Sequence, residues 1–269
     1  MLVHPLVHET AEQYLSLVDE TVPGLVEGLY LTGSAALGDF VPGHSDIDFV
    51  AVSASPATPA QAHALTEVHK LLSVRYPRPH FDGPYVTWRQ LADDPAGVPP
   101  GPHAHAGRLR HPSSAGRTPV VWHTLARHGI PLRGPDPALL TVDTDPVGLA
   151  RWTDRNLDLY WRPWWRRSSR LGTPAGLACL GSWAPAWGVL GVSRMHCTLA
   201  TGEIVSKSAA GDYARDVFGP RWHRILDECL RIRRTTDPHS RYHSPLTRRR
   251  DALAYVDTTI EAAHRLTRP

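Results

Sequence analysis

The sequence predicts an α/β first half followed by an all-α second half, and three observations carry that reading. Short β-prone runs alternate with helical patterns in the first third of the chain. Strand signals then fade, while helical periodicity persists to the C-terminus. A Pro-rich stretch from Pro131 to Pro146 separates the two regimes. The expected domains are residues 1–145, a mixed sheet with helices, and 146–269, a helical bundle. At 269 residues the chain is long enough for two ordinary domains, each with its own core.

The elements follow in order. Ala11, Leu15 and Val18 recur at helical spacing between His8 and Val22, and Pro23-Gly24 stops the pattern. A β-prone run from Gly28 to Thr32 leads into Gly33-Ser34, a short helix from Ala35, and a second strand from Asp46 to Val52. Residues 59–75 are helical through Ala62, Leu65, Val68 and Leu72, and His80 to Trp88 reads as a third strand. Residues 93–118 are rich in Pro, Gly, His and Ser without periodicity, which predicts a long loop. Helices are expected over 119–128, 146–162, 175–201, 206–217, 220–233 and 248–266, the last through Leu253, Val256, Ile260, Ala263 and Leu266. No internal repeat or low-complexity tract is present.

Composition narrows the function classes. A formal net charge of +3 tolerates a polyanion such as a nucleotide but falls short of a nucleic-acid-binding footprint. Cys179, Cys197 and Cys229 are odd in number and have no CxxC spacing, so neither a disulfide framework nor a zinc site is indicated. MLVHPLVHETAEQYL has no basic segment followed by an apolar core, and no later run approaches the ~18 apolar residues that span a bilayer. A cytoplasmic protein without a membrane partner is expected.

The candidate chemistry lies between residues 33 and 82. In a strand, Asp46 and Asp48 share one face, about 7 Å apart along the backbone, and two carboxylate donors of this kind suit Mg²⁺ bound to a nucleoside triphosphate. Gly33-Ser34 ends one strand and opens a short helix, offering phosphate an approach that no Cβ blocks at the glycine. Asp82, in FDGPYVTW, is the acidic residue of the following strand. It is expected to deprotonate an acceptor hydroxyl, to share a second metal, or both. Taken alone, a Gly-Ser pair or an Asp-x-Asp is an ordinary turn or strand end. The order strand, Gly-Ser, short helix, Ser-Asp-x-Asp, helix, strand with one Asp is what makes the set informative.

LTGSAALGDFVPGHSDIDFVAV closely resembles the nucleotidyltransferase motif of the aminoglycoside adenylyltransferases that modify streptomycin and spectinomycin, within the polymerase β-like superfamily. SRMHCTLATGEIVSKSAAGDYA resembles the helical C-terminal domain of the same family. The resemblance implies a polymerase β-like first domain, Mg²⁺, ATP as co-substrate, and transfer of AMP to a hydroxyl of a small acceptor with release of pyrophosphate. It further implies that Arg194 and Lys207 contact the triphosphate across an interdomain cleft and that WHTLARHGIPLRGPDP forms the connecting segment. Read from the residues, Lys207 follows Gly202-Glu-Ile-Val-Ser and can open a helix, placing its ammonium near an anion site. Two departures stand out. The family carries Glu where Asp82 stands, and its acidic residues upstream of the Ser-Arg give way to the neutral, aromatic GSWAPAWGVLGVSR.

WRPWWRRSSR, from Trp161 to Arg170, reads as a solvated helix end with its Trp residues packed inward, although basic and aromatic residues together also suit a nucleic-acid strand. His103 and His105 read as incidental loop histidines. Trp183, Trp187 and Trp161 are candidates to stack on sugar faces, and Asp82, Asp154 and Asp158 are the few carboxylates available to a polycation. The leading expectation is an enzyme whose partners are a nucleoside triphosphate and a small hydroxylated acceptor, with nucleic acid disfavoured and a monomer favoured. A nucleotidyltransferase acting on RNA or protein, and a non-catalytic nucleotide-binding regulator, are the alternatives.

Overall fold

The computed structural model describes residues 3–235 and 237–267. The chain divides into two compact units, Met1–Asp145 and Pro146–Pro269. Among the described residues no helix is long and apolar enough to cross a membrane.

The first unit is built on a sheet of six strands: β1 (Gly28–Leu31), β2 (Ile47–Ser53), β3 (Phe81–Thr87), β4 (Gly101–His105), β5 (Arg108–Ser113) and β6 (Ile130–Arg133), in the order β5-β4-β3-β2-β1-β6. β2 and β3 are parallel, as their helical crossover requires, and the other neighbours are antiparallel. The helices are α1 (Pro5–Thr21), the single turn α2 (Gly33–Ala36), α3 (Pro59–Arg75), α4 (Trp88–Leu91) and α5 (Pro119–His128). Thr58 and Gln61 close a reciprocal capping box at the start of α3, which fixes where the crossover begins.

One core joins Val7, Tyr14 and Val18 of α1 with Leu65, Val68 and Leu72 of α3 and with Ile47, Phe49 and Phe81 of the central strands. A second gathers Tyr30, Val50, Val86, Trp122 and Leu125. β3 is buried at all seven positions, which explains its near-continuous apolar run and makes the carboxylate of Asp82 an exception that needs partners. His69 sits in the first core, where burial pushes its imidazole down to about 3, and Tyr85 Oη lies 2.8 Å from its Nε2.

Two sequence expectations change here. The long loop over 93–118 contains the antiparallel hairpin β4–β5. Its strand signal is muted because the inward positions of β4 are Pro102 and Ala104, which are small or lack the usual β-branched bulk, although their burial alternates as in a strand. The segment read as a connection carries α5 and the edge strand β6, which pairs with β1 and belongs to the first unit.

The second unit is helical: α6 (Pro146–Asn156), a π-helical turn over Leu157–Trp161, α7 (Arg162–Ser168), α8 (Pro174–Ala178), α9 (Trp183–Thr201), α10 (Lys207–Val217), α11 (His223–Arg234) and α12 (Pro245–Thr267). α9 is buried over most of its length and packs with α10, α11 and α12 around Val189, Leu190, Ile225, Tyr255, Val256 and Ile260. The helix expected as one piece over 175–201 is broken between Ala178 and Trp183. Pro185 lies in the first turn of α9, where its missing N–H breaks no intrahelical bond, so it marks a start where periodicity alone reads through.

Candidate active site

The three aspartates are brought to one place by the pairing of β2 with β3. Asp48 stands opposite Asp82 on the parallel strands, so their side chains leave the same face, and alternation puts Asp46 on that face as well. The backbone N–H of His80 donates to Asp46 Oδ1 at 3.3 Å, and the Ile47 N–H donates to the His80 carbonyl at 2.8 Å, which locks the Asp46 end of β2 to the start of β3.

The loop after β1 is held against this face. The Thr32 N–H donates to the Asp48 carbonyl at 2.9 Å. Gly33 has φ +54°, and a Cβ on it would lie 1.9 Å from Asp48 Oδ2. Only glycine satisfies both conditions. Ser34 follows with its Oγ buried and without a hydrogen-bond partner, a polar group that an incoming acceptor oxygen would satisfy. Because α2 is one turn long, it offers no extended helix dipole here.

Asp82 is 8 % exposed. Its Oδ1 accepts the Ala106 N–H at 2.9 Å, and its Oδ2 lies 3.1 Å from His105 Nδ1. Burial pushes this carboxyl above its ordinary value; His105 pulls it back, and the Asp46 carboxylate adds to the rise. Among the described residues no group of three or more His, Cys, Asp or Glu side chains is gathered as a metal cage. Of the three residues expected to share the metal, Asp82 also contacts the β4–β5 turn through Ala106 and His105. Asp46 and Asp48 remain the adjacent oxygen donors on the face beside Gly33.

In the second unit Lys207 opens α10 after the capping residue Ser206, as its position predicts, and its Nζ stands 4.4 Å from the centre of the Trp187 ring. Arg194, half-buried on α9, donates from Nε to the Val205 carbonyl at 3.1 Å, so the two cationic residues flank one short segment. Trp183 is exposed and stacked on Trp187, whereas Trp161 is core. Asp154 and Asp158 both face His264, at 2.9 Å from Nδ1 and 3.2 Å from Nε2, which occupies the carboxylates counted as available to a cationic ligand. In the basic-aromatic run, Arg162 pairs with Asp257 and Glu261, and Trp165 Nε1 donates to the Leu253 carbonyl at 3.0 Å. It is a packed helix end.

Sequence reasoning missed His105 and Ala106 as partners of Asp82. The available signal was the alternation across Pro102, His103, Ala104 and His105, which places a histidine at the strand end beside the carboxylate.

Residues 12–81 match the family described as nucleotidyltransferase domain, and residues 175–254 match the C-terminal domain of aminoglycoside adenylyltransferase. No protein with a curated description matches the chain. The fold is similar to the crystal structure of spectinomycin adenyltransferase AAD(9) from Enterococcus faecialis with ATP and spectinomycin, with a TM-score of 0.65 at 12 % identity, over 94 % of this chain and 99 % of that one. With a nucleotidyltransferase domain first and the adenylyltransferase C-terminal domain second, the chain is an enzyme of the aminoglycoside adenylyltransferase family.

Proposed function

We propose that this enzyme transfers AMP from ATP to a hydroxyl of an aminoglycoside or aminocyclitol antibiotic, with Mg²⁺, and releases pyrophosphate. The observation that carries the reading is the placement of Asp48 opposite Asp82, with Gly33 opening space against the Asp48 carboxylate. The similar structure's title names ATP and spectinomycin, which fits a nucleotide and a small hydroxylated acceptor as partners.

Asp46 and Asp48 are hard oxygen donors on one face, the donor set Mg²⁺ takes when phosphate oxygens and water complete its shell. Asp46 and Asp48 would hold the ion, which would supply charge neutralisation for the triphosphate. Asp82 takes the proton of the acceptor hydroxyl as that oxygen forms its bond to the α-phosphorus and the bond from the α-phosphorus to the bridging oxygen breaks. Burial suits Asp82 to the task, since a raised pKa makes a stronger base, while His105 and Ala106 fix its orientation. Gly33 makes room for the Asp48 carboxylate, and the turn at Gly33-Ser34 lies beside the phosphates. On the family resemblance, Arg194 and Lys207 contribute cationic contacts to the triphosphate. The enzyme works as a monomer in the cytoplasm, where ATP is supplied and its three buried cysteines stay reduced.

Pyrophosphate release measured with streptomycin, with spectinomycin and with an RNA mixture tests the proposal. Drug-dependent release that disappears in Asp46→Asn and Asp48→Asn, with folding unchanged, supports it. Release with RNA alone, or near-normal turnover in Asp46→Asn, overturns it.

A further inference from the structure

The first unit buries a cation, Arg117, that no carboxylate among the described residues balances. Arg117 is 6 % exposed, and its guanidinium makes hydrogen bonds only to backbone carbonyls: Nη1 to Ser113 at 3.0 Å and Ala115 at 3.4 Å, and Nη2 to Tyr85 at 2.7 Å. Its Nε is buried and has no partner. A guanidinium has five N–H donors, and three are used here. Burial pulls its affinity for the proton down to about 10, which leaves it charged near neutral pH. An uncompensated buried charge is costly, and bonds to the carbonyls of Ser113, Ala115 and Tyr85 account for three donors but not for the two that remain.

Arg117 lines a cavity of about 120 Å³ whose walls include Pro56, Ala57, Val86, Pro99, Pro100 and Pro102. One water needs about 10–15 Å³ of such space, so the cavity suits a small organic molecule better than one solvent molecule. Gly101 makes room for the head group: a Cβ there would stand 2.4 Å from Arg117 Nη2. The cavity lies toward the Tyr85–Val86 end of β3, and none of Gly33, Ser34, Asp46, Asp48 or Asp82 lines it.

The geometry points to a second binding site in which Arg117 receives a small monocarboxylate, its apolar body seated against the proline-rich wall. Nε is enclosed, so the positive charge and the remaining Nη2 N–H are what suit one carboxylate. Apart from Arg117 the lining is mostly apolar, with Ser53, Gln90 and His111 as its other polar side chains, which suits one carboxylate with an apolar body better than a phosphate dianion.

Isothermal titration of the intact enzyme with butyrate, and with neutral butyramide of the same shape, tests the assignment. Saturable butyrate binding is expected with a Kd on the order of 1 mM, without saturable binding of butyramide. Arg117→Gln should weaken butyrate binding at least tenfold. Because Arg117 also ties down the hairpin, Ala57→Leu provides an independent variant: it fills the cavity, leaves the guanidinium in place, and should abolish binding while thermal unfolding stays at the parent temperature. Absence of saturable binding in the parent, equal binding of butyramide, or unchanged binding in Ala57→Leu overturns the assignment.

Discussion

The carboxylate of Asp48 stands where Gly33 lacks a side chain, so close that a Cβ on Gly33 would lie 1.9 Å from Oδ2. Gly33→Ala therefore displaces the carboxylate and also forces an L-residue into a left-handed backbone. The backbone term alone costs about 1–2 kcal/mol. Loss of drug-dependent pyrophosphate release is expected alongside a fall in unfolding free energy of about that size, read by denaturant titration. An alanine variant with parental activity would show that the gap has no role.

Asp82 and His105 separate a proton acceptor from a residue that positions it. Asp82→Asn should lower kcat by about 10²–10⁴ with little change in KM for ATP. His105→Ala leaves the carboxylate in place but releases one of its two contacts, so a smaller fall in kcat is expected, recovered in part by His105→Asn. Steady-state kinetics with both substrates varied makes the comparison. Equal losses in His105→Ala and Asp82→Asn would give His105 a direct catalytic role.

Lys207 begins α10 with its ammonium over the Trp187 ring. If it contacts the triphosphate, Lys207→Ala should weaken ATP binding by about tenfold, the size of one charge-assisted hydrogen bond, and leave the helical content unchanged. Calorimetry on the parent and the variant decides the point. Equal affinities would remove Lys207 from the triphosphate site.

Glu228 makes the second unit sensitive to acid. It is fully buried on α11, and burial alone would raise its pKa. Hydrogen bonds from Arg231 Nε and Nη2, the Arg241 N–H and Ser240 more than reverse that, bringing it down to about 2 from 4.5. Ionised Glu228 thus stabilises the fold fully above about pH 4.5, and this contribution is lost as pH falls through about 2. Glu228→Gln should destabilise the protein at pH 7 by about 3 kcal/mol and flatten the acid limb of the stability profile. A parallel profile for the variant would remove Glu228 as its origin.

The sequence by itself determined the parts of this protein whose signal is local. The paired aspartates, Gly33-Ser34, the helix that Lys207 opens and the two helical regimes are legible because strand alternation, glycine's freedom at positive φ and helix periodicity act over a few residues. Tertiary structure alone decided what depends on distant segments meeting. Asp82 is oriented by His105 and Ala106 because β4 pairs with β3, and that pairing is hidden in a stretch of Pro, Gly and His with little β propensity. Asp154 and Asp158 look available to a ligand until α12 brings His264 between them, more than a hundred residues away in sequence. Arg117 reads as an ordinary loop arginine until the hairpin folds over it and takes its charge out of water. Register and burial are properties of the assembled sheet and bundle, and no short window of sequence carries them.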